Sequence, residues 1–260
     1  MKVIKLGGNA LASANGMGWL ESIVSAYSHD HEIVLVHGGG PQIDEEFRIH
    51  QLPKNVVAGY RVTDSKSFDV VEMVLAGKVQ QSLVRSMRSL SLPAVGITGN
   101  DGGLFEARRK SAPDGTDLGQ VGEVVRVDVR VITSLLDAGF LPVVSPVSSD
   151  RAGSGFNVNA DLAAGALAGA LNADDAIFMT DVPGIYRNYP DPASLIMATN
   201  LHEMKTLLPS LSEGMAPKAE AVILALESGA KRAHIIDGRD GRALDALLAG
   251  SLVGTVIEND

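Results

Sequence analysis

Cysteine is absent from this chain. That removes a disulfide framework, a thiolate metal site and a cysteine nucleophile, so any catalysis rests on other groups; the compartment is left open. Long apolar runs are absent as well. The most apolar stretch, Leu162 to Leu171, holds five alanines in ten residues, well short of the roughly 20 residues a spanning helix needs. Met1 leads straight into a strand-like segment without a basic and apolar leader, so a cytoplasmic protein with no membrane association is expected. Basic charge is scarce: 22 Lys and Arg stand against 31 Asp and Glu, a net charge of −9. This argues against a nucleic-acid partner, because phosphate backbones demand clustered cations. A His-Glu-x-x-His zinc motif, a G-x-x-x-x-G-K-[ST] phosphate loop, a G-x-G-x-x-G fingerprint and a G-x-S-x-G elbow are all missing. No Pro/Ser linker, internal repeat or low-complexity tract divides the chain.

What the chain does have is glycine in runs. Val3-Ile4-Lys5-Leu6-Gly7-Gly8 and Ile33-Val34-Leu35-Val36-His37-Gly38-Gly39-Gly40 each place consecutive glycines at the carboxyl end of an apolar strand. Glycine is costly to order, so paired and tripled runs suggest that something approaches the main chain closely. Bare amides at strand ends that lead into helices form a donor nest for phosphate or carboxylate, at the edge where open α/β sheets bind ligands. Against a globally acidic chain, the few Lys and Arg residues near such a nest must create a local field of the opposite sign.

A chain of 260 residues suffices for one large α/β domain or two closely joined lobes. Strand-like apolar runs fall at Val3 to Leu6, Ile33 to Val36, Ala94 to Ile97, Leu141 to Val144, Ala176 to Met179 and Ala233 to Ile236. Helical periodicity is longest over Asp64 to Leu90, where Phe68, Val71, Val74, Leu75, Leu83, Val84, Met87 and Leu90 follow three-to-four spacing. Further helices are expected over Val129 to Ala138, Asn159 to Leu171 and Met215 to Ser228. The alternation predicts a three-layer α/β/α sandwich around a mostly parallel sheet. Asp101 to Asp128 breaks the pattern and reads as an added hairpin, and Ser148 to Gly155 reads as an irregular loop. A soft lobe boundary falls near Leu171 to Asp174, dividing 1–172 from 173–260.

Several residues violate local rules. Lys5 interrupts an apolar strand two residues before Gly7, a costly place for an ammonium unless an anion meets it. Lys218 follows Gly214-Met215-Ala216-Pro217 in the first turn of a helix, where a cation opposes the macrodipole and an anion would relieve the conflict; Glu220 offers a plainer offset. In Asn157-Val158-Asn159-Ala160-Asp161, Asn159 suits an N-cap, and Asp161 either satisfies first-turn amides or holds ammonium groups. Arg61 can offer a bidentate fork to a carboxylate, and Thr63 or Asp64 can cap the helix that follows. Thr180-Asp181-Val182-Pro183-Gly184-Ile185 closes another strand with a turn. His37 reads as a satisfied structural histidine.

Taken in order, Lys5-Leu6-Gly7-Gly8, His37 to Gly40, Arg61 to Asp64, Glu72 to Val79, Gly99 to Leu104, Asn157 to Asp161, Gly214 to Lys218 and His234 to Arg239 resemble the N-acetylglutamate kinases of the amino-acid kinase superfamily. The likeness runs through nearly the whole chain. It implies an N-terminal lobe (1–172) that binds N-acetyl-L-glutamate and forms a homodimer, and a C-terminal lobe (173–260) that binds ATP. Phosphoryl transfer to the γ-carboxylate follows, as in arginine biosynthesis. By this resemblance Lys5 and Lys218 are the transition-state lysines and Asp161 their organiser. Gly38, Gly39, Arg61 and Asn157 bind the acceptor. Gly7, Gly8, Thr180, Asp181, Val182, Pro183, Gly184, Ile185 and Met215 belong to the nucleotide site. Mg²⁺ is carried by the ATP phosphates, with no metal ligands of the protein's own.

Asn188-Tyr189-Pro190-Asp191-Pro192-Ala193-Ser194-Leu195 is instead similar to a segment of related kinases acting on glutamate or aminoadipate held by a carrier protein. A non-catalytic amino-acid sensor is a third alternative, disfavoured by the presence of both Lys5 and Lys218. Arginine-inhibited members of the family carry an extra helix before the first strand; here the strand starts at Val3, and arginine insensitivity is expected.

Overall fold

The structure, a computed structural model, describes residues 1–8, 11, 18–29, 32–211 and 215–259. Gly214 of the Gly214-to-Lys218 segment lies outside the described residues. The apolar runs become strands β1 (Lys2–Leu6), β2 (Ile33–His37), β3 (Ala94–Thr98), β4 (Leu141–Ser145), β5 (Asp175–Thr180) and β7 (Arg232–Asp237), with β6 (Ala198–Asn200) and β8 (Thr255–Glu258) beside them. All lie in one sheet in the order β6-β8-β7-β5-β1-β2-β4-β3. From β7 to β3 every pairing is parallel, whereas β8 runs antiparallel to β7 and β6 follows β8. The six expected strands are each only a residue or two longer than the apolar run that announced them. The reversed edge pair was not expected: β6 has no buried residue and β8 has only Thr255 and Ile257 inside, so neither shows an apolar run.

Helices α1 (Gly18–His29), α2 (Gly40–Ile49), α3 (Ser65–Glu72), α4 (Gln80–Ser89), α5 (Arg130–Asp137), α6 (Ala160–Ala170), α7 (Leu201–Leu207), α8 (Ala216–Glu227) and α9 (Ala243–Leu248) cover the sheet. Because side chains alternate along a strand, β1 feeds two cores. Val3 packs with Val36, Phe178 and Ile235 under Ala164 and Leu167 of α6 and Val222 and Leu226 of α8. Ile4 and Leu6 pack with Leu35 and Ile177 under Trp19 of α1, Phe47 of α2 and Met87 of α4. The three-layer α/β/α sandwich is therefore as expected.

Three local features place the site. The expected Asp64-to-Leu90 helix is interrupted: α3 passes through a wide π turn, Met73–Val79, before α4, and Asp64 rather than Thr63 caps it, accepting from the Ser67 amide at 2.8 Å. The alanine-rich α6 lies unusually close to α8, since a Cβ on Gly165 would stand 2.5 Å from the Ala221 carbonyl and one on Gly169 2.2 Å from Ser228 Cβ. Small residues there serve helix contact. Finally, Phe105–Ser111 and Asp117–Val127 form the expected hairpin but close with Val147–Ser149 and Gly155–Val158 into a small barrel. The stretch read as an irregular loop, Ser148 to Gly155, is thus two strand ends joined by a turn, with Gly155 facing Ser149. Its Ser, Gly and Asp content hides strands too short to show apolar alternation.

Candidate active site

The two glycine runs fold against each other. A side chain on Gly8 would meet Pro41 Cδ at 2.8 Å and the Gly40 amide nitrogen at 2.9 Å, and the Gly38 amide donates to the Leu6 carbonyl at 3.0 Å. Backbone amides from both strand ends thereby gather in one place. Gly39 needs its bareness for a different reason: a Cβ would come within 2.7 Å of Leu75 Cδ2 and 3.2 Å of Val79 Cγ2, side chains delivered by the π turn.

Beneath this nest Lys5 is 7% exposed, and its Nζ lies 2.8 Å from Asp161 Oδ1. A buried ammonium without a counter-charge would be costly; Asp161 in the first turn of α6 supplies one. The first-turn amides of α6 are satisfied by Asn159, which accepts from Asp161 and Leu162, so the Asp161 carboxylate faces the lysine. Lys218 stands in the first turn of α8, behind Pro217, with Nζ 3.5 Å from Asp181 Oδ1. Among the described residues no side chain caps α8, and the positive end of the helix suits an anion.

Lys5, Gly8, Gly38, Gly39, Arg61, Asn157 and Asp161 line a single cavity of about 290 Å³ together with Tyr60, Leu75 and Val121. Lys218 is outside that lining, on the Asp181 side. Arg61 is not the free fork the sequence suggested. One Nη is committed to Asp44 on α2, its guanidinium sits 4.9 Å from the centroid of Phe47 one turn further on, and the other Nη is buried with no protein partner. Burial pushes the Asp44 carboxyl up, and hydrogen bonds from Lys54 and Arg61 outweigh it, so Asp44 stays below its ordinary range. Asp44 and Phe47 were missed by sequence reasoning; their i,i+3 spacing on a helix that starts at the glycine run was the available signal. Asn157 donates to Thr63 Oγ1 at 3.2 Å, and Thr63 donates to the Arg61 carbonyl at 2.7 Å, so Asn157, Thr63 and Arg61 form one chain.

The strand exit at Thr180 is held by its own hydroxyl, which donates to the Val182 carbonyl and accepts from the Val182 amide. Pro183 and Gly184 continue the turn, and the Ile185 amide donates to buried Thr255 Oγ1 at 2.8 Å. Gly7 must be bare because a Cβ would lie 2.7 Å from the Met179 carbonyl. Met215 is buried just before α8. His37 is satisfied on one nitrogen only: Nδ1 lies 3.0 Å from the Gly38 carbonyl while Nε2 is buried without a partner. Burial drives the imidazole down to about 4, partly offset by that contact, so it is neutral near pH 7.

The amino acid kinase family matches residues 1–237 of this sequence. The chain belongs to that family. Among its relatives, the acetylglutamate kinase of Archaeoglobus fulgidus is 43% identical over 98% of this chain and 92% of its own length. That of Beutenbergia cavernae is 43% identical over 93% and 80%. In structure, N-acetylglutamate synthase from Neisseria gonorrhoeae, complexed with coenzyme A and N-acetyl-glutamate, superposes with a TM-score of 0.85 at 25% identity, across all of this chain and 59% of that one. Carbamate kinase from Giardia lamblia bound to AMP-PNP, at TM-score 0.75 and 21% identity over 98% of its chain, shows the same fold. For an amino acid kinase, a cationic floor beneath gathered amides is an arrangement that suits phosphoryl transfer, where charge spreads over equatorial oxygens.

Proposed function

We propose that this amino acid kinase phosphorylates the γ-carboxylate of N-acetyl-L-glutamate with ATP, as in arginine biosynthesis. The observation that carries the reading is the Lys5–Asp161 pair at the floor of the cavity that also holds Gly38, Gly39, Arg61 and Asn157. The acceptor carboxylate, with a reference pKa of about 4.3, is already ionised at neutral pH and needs no general base. It sits above Lys5, its far carboxylate on the unspent Nη of Arg61 and on Asn157. Lys5 and Lys218 flank the transferring group, and the amide of Gly8 takes up charge as it develops on the phosphoryl oxygens, while that of Gly7 stays on the Met179 carbonyl and holds the turn. Asp161 fixes the Lys5 ammonium in place.

The nucleotide rests on the C-terminal side, 173–260, against the Thr180-to-Ile185 turn, Met215 and the open end of α8; the acceptor side is 1–172. In this reading a Mg²⁺ is carried by the ATP phosphates. When bound there it neutralises phosphate charge. The same reading takes the protein as a homodimer through the α2–α4 side, where Met73 and Leu90 remain 50% and 40% exposed; a single 27 kDa species in sedimentation at micromolar concentration would overturn the dimer. The same reading places the protein in the cytoplasm; among the described residues, no helix is long and apolar enough to cross a membrane.

The deciding experiment is a coupled ADP-release assay with acetylglutamate, glutamate, aspartate and carbamate as acceptors, trapping the product as a hydroxamate. Turnover confined to acetylglutamate supports the reading. Turnover with another acceptor, and none with acetylglutamate, would overturn it.

A further inference from the structure

Arg61 is carried on a ribbon, Val56–Val57 paired with Tyr60–Arg61, that is only two residues long on each side. Its turn residues Ala58 and Gly59 sit at φ 49° and 80°, the left-handed conformations of a tight hairpin. So short a ribbon has little stability of its own and needs an outside tie. The partner on its Tyr60 side is Lys110, from the Phe105–Ser111 strand of the barrel. Lys110 Nζ lies 5.1 Å from the centroid of the Tyr60 ring and 3.3 Å from Glu123 Oε2 on the neighbouring strand. Tyr60 lines the acceptor cavity and packs with Ala112, Leu118 and Val121. Val121 lines the same cavity. Burial pulls the Lys110 ammonium down, but the Tyr60 phenol and Glu123 outweigh it and hold the charge.

Resting on the reading of the cavity as the acceptor site, we infer that Lys110 is a positioning residue. By stacking on Tyr60 and bracing on Glu123 it holds the Arg61 ribbon over the acceptor, setting acceptor affinity without touching substrate. The attraction of an ammonium for an aromatic face at a partly buried site is enough to shift a binding equilibrium by about fivefold.

Two readouts on the purified full chain test this. In the absence of any substrate, amide hydrogen exchange over residues 56–61 should be faster in Lys110→Met than in the native protein and restored in Lys110→Arg, which keeps the cation. In steady-state kinetics Lys110→Met should raise the acetylglutamate KM by about fivefold with the ATP KM and kcat within about twofold, again restored by Lys110→Arg. Unchanged exchange, or an equal rise in both KM values, would overturn the inference. Failure of the native protein to phosphorylate acetylglutamate would overturn the functional reading instead, while the exchange comparison, which needs no substrate, still decides whether Lys110 holds the ribbon.

Discussion

Lys5 and Asp161 meet at 2.8 Å, with side chains 9% and 17% exposed, one from the central strand β1 and the other from the first turn of α6. Each explains the other's position. The strand can keep a buried ammonium because the helix brings a carboxylate, and the helix can leave its carboxylate off its own amides because Asn159 caps them.

Lys5→Ala should therefore lower kcat by about 10²- to 10³-fold, the usual loss when one preorganised donor to transition-state charge is removed, with smaller changes in either KM. Steady-state kinetics beside a thermal melt checks this. A native rate in a folded variant would remove Lys5 from the chemistry.

At Arg61 the guanidinium is divided between Asp44 and the cavity. Replacing it with lysine supplies one point charge where two directed donors are needed. Arg61→Lys should raise the acetylglutamate KM about tenfold or more while the ATP KM stays within about threefold, an expectation scaled to one lost charge-assisted hydrogen bond. Asp44→Asn should give a weaker copy of the same split. A larger effect on ATP would place Arg61 on the wrong side of the reaction.

His37 supplies a pH test. Its imidazole titrates at about 4 when folded and near 6.5 when unfolded, so between those values the unfolded chain binds more protons. Stability must then rise with pH across that window: the contribution is complete above about 6.5 and lost as pH falls toward 4. Urea midpoints measured from pH 7 down to 4.5 should fall, and the fall should shrink in His37→Gln. An identical slope in the variant would assign it to other groups.

The parts of this fold that bury continuous apolar runs were legible in the sequence, because six parallel strands covered on both faces must be apolar throughout. The glycine runs and the misplaced lysines were legible for the opposite reason, being choices that local propensity opposes. What escaped was structure whose signal is relational. Strand β8 is defined by pairing with β6 and β7 and not by its own composition. The π turn at Met73–Val79 has the same periodicity to the eye as an uninterrupted helix. That Arg61 is half spent on Asp44 depends on contacts across 17 positions, which no spacing rule reads.

Thr255 ties the strand exit to the sheet edge. Its buried hydroxyl donates to the Ile196 carbonyl and accepts from the Ile185 amide. Thr255→Val keeps the shape and strands both partners, which should cost about 1–3 kcal/mol of stability and raise the ATP KM more than the acetylglutamate KM. Denaturant unfolding and paired KM measurements check the two halves separately, and a variant as stable as the native protein would show that the partners find other bonds.

Gly165 tests how the positions proposed for catalysis on α6 and α8 depend on helix packing. The contacts of α6 with α8 run in the same order along both, Gly165 against Ala221 and Gly169 against Ser228, so the two first turns that carry Asp161 and Lys218 lie at the same end. A methyl at Gly165 would stand 2.5 Å from the Ala221 carbonyl oxygen, and a backbone oxygen cannot rotate away as a side chain can. The helices must separate instead. Overpacking of this kind costs about 1–3 kcal/mol, and the displacement reaches the active end, so Gly165→Ala should lose stability and about tenfold or more in kcat, since small misplacements of positioned groups carry large rate penalties. Gly103→Ala is the matched control, at a glycine whose Cβ would meet nothing within 4 Å but which is held at φ 69°; it should lose stability and keep kcat. Equal kcat losses in the two variants would mean that destabilisation alone lowers the rate, and that the approach of α6 to α8 does not set the geometry of Lys218.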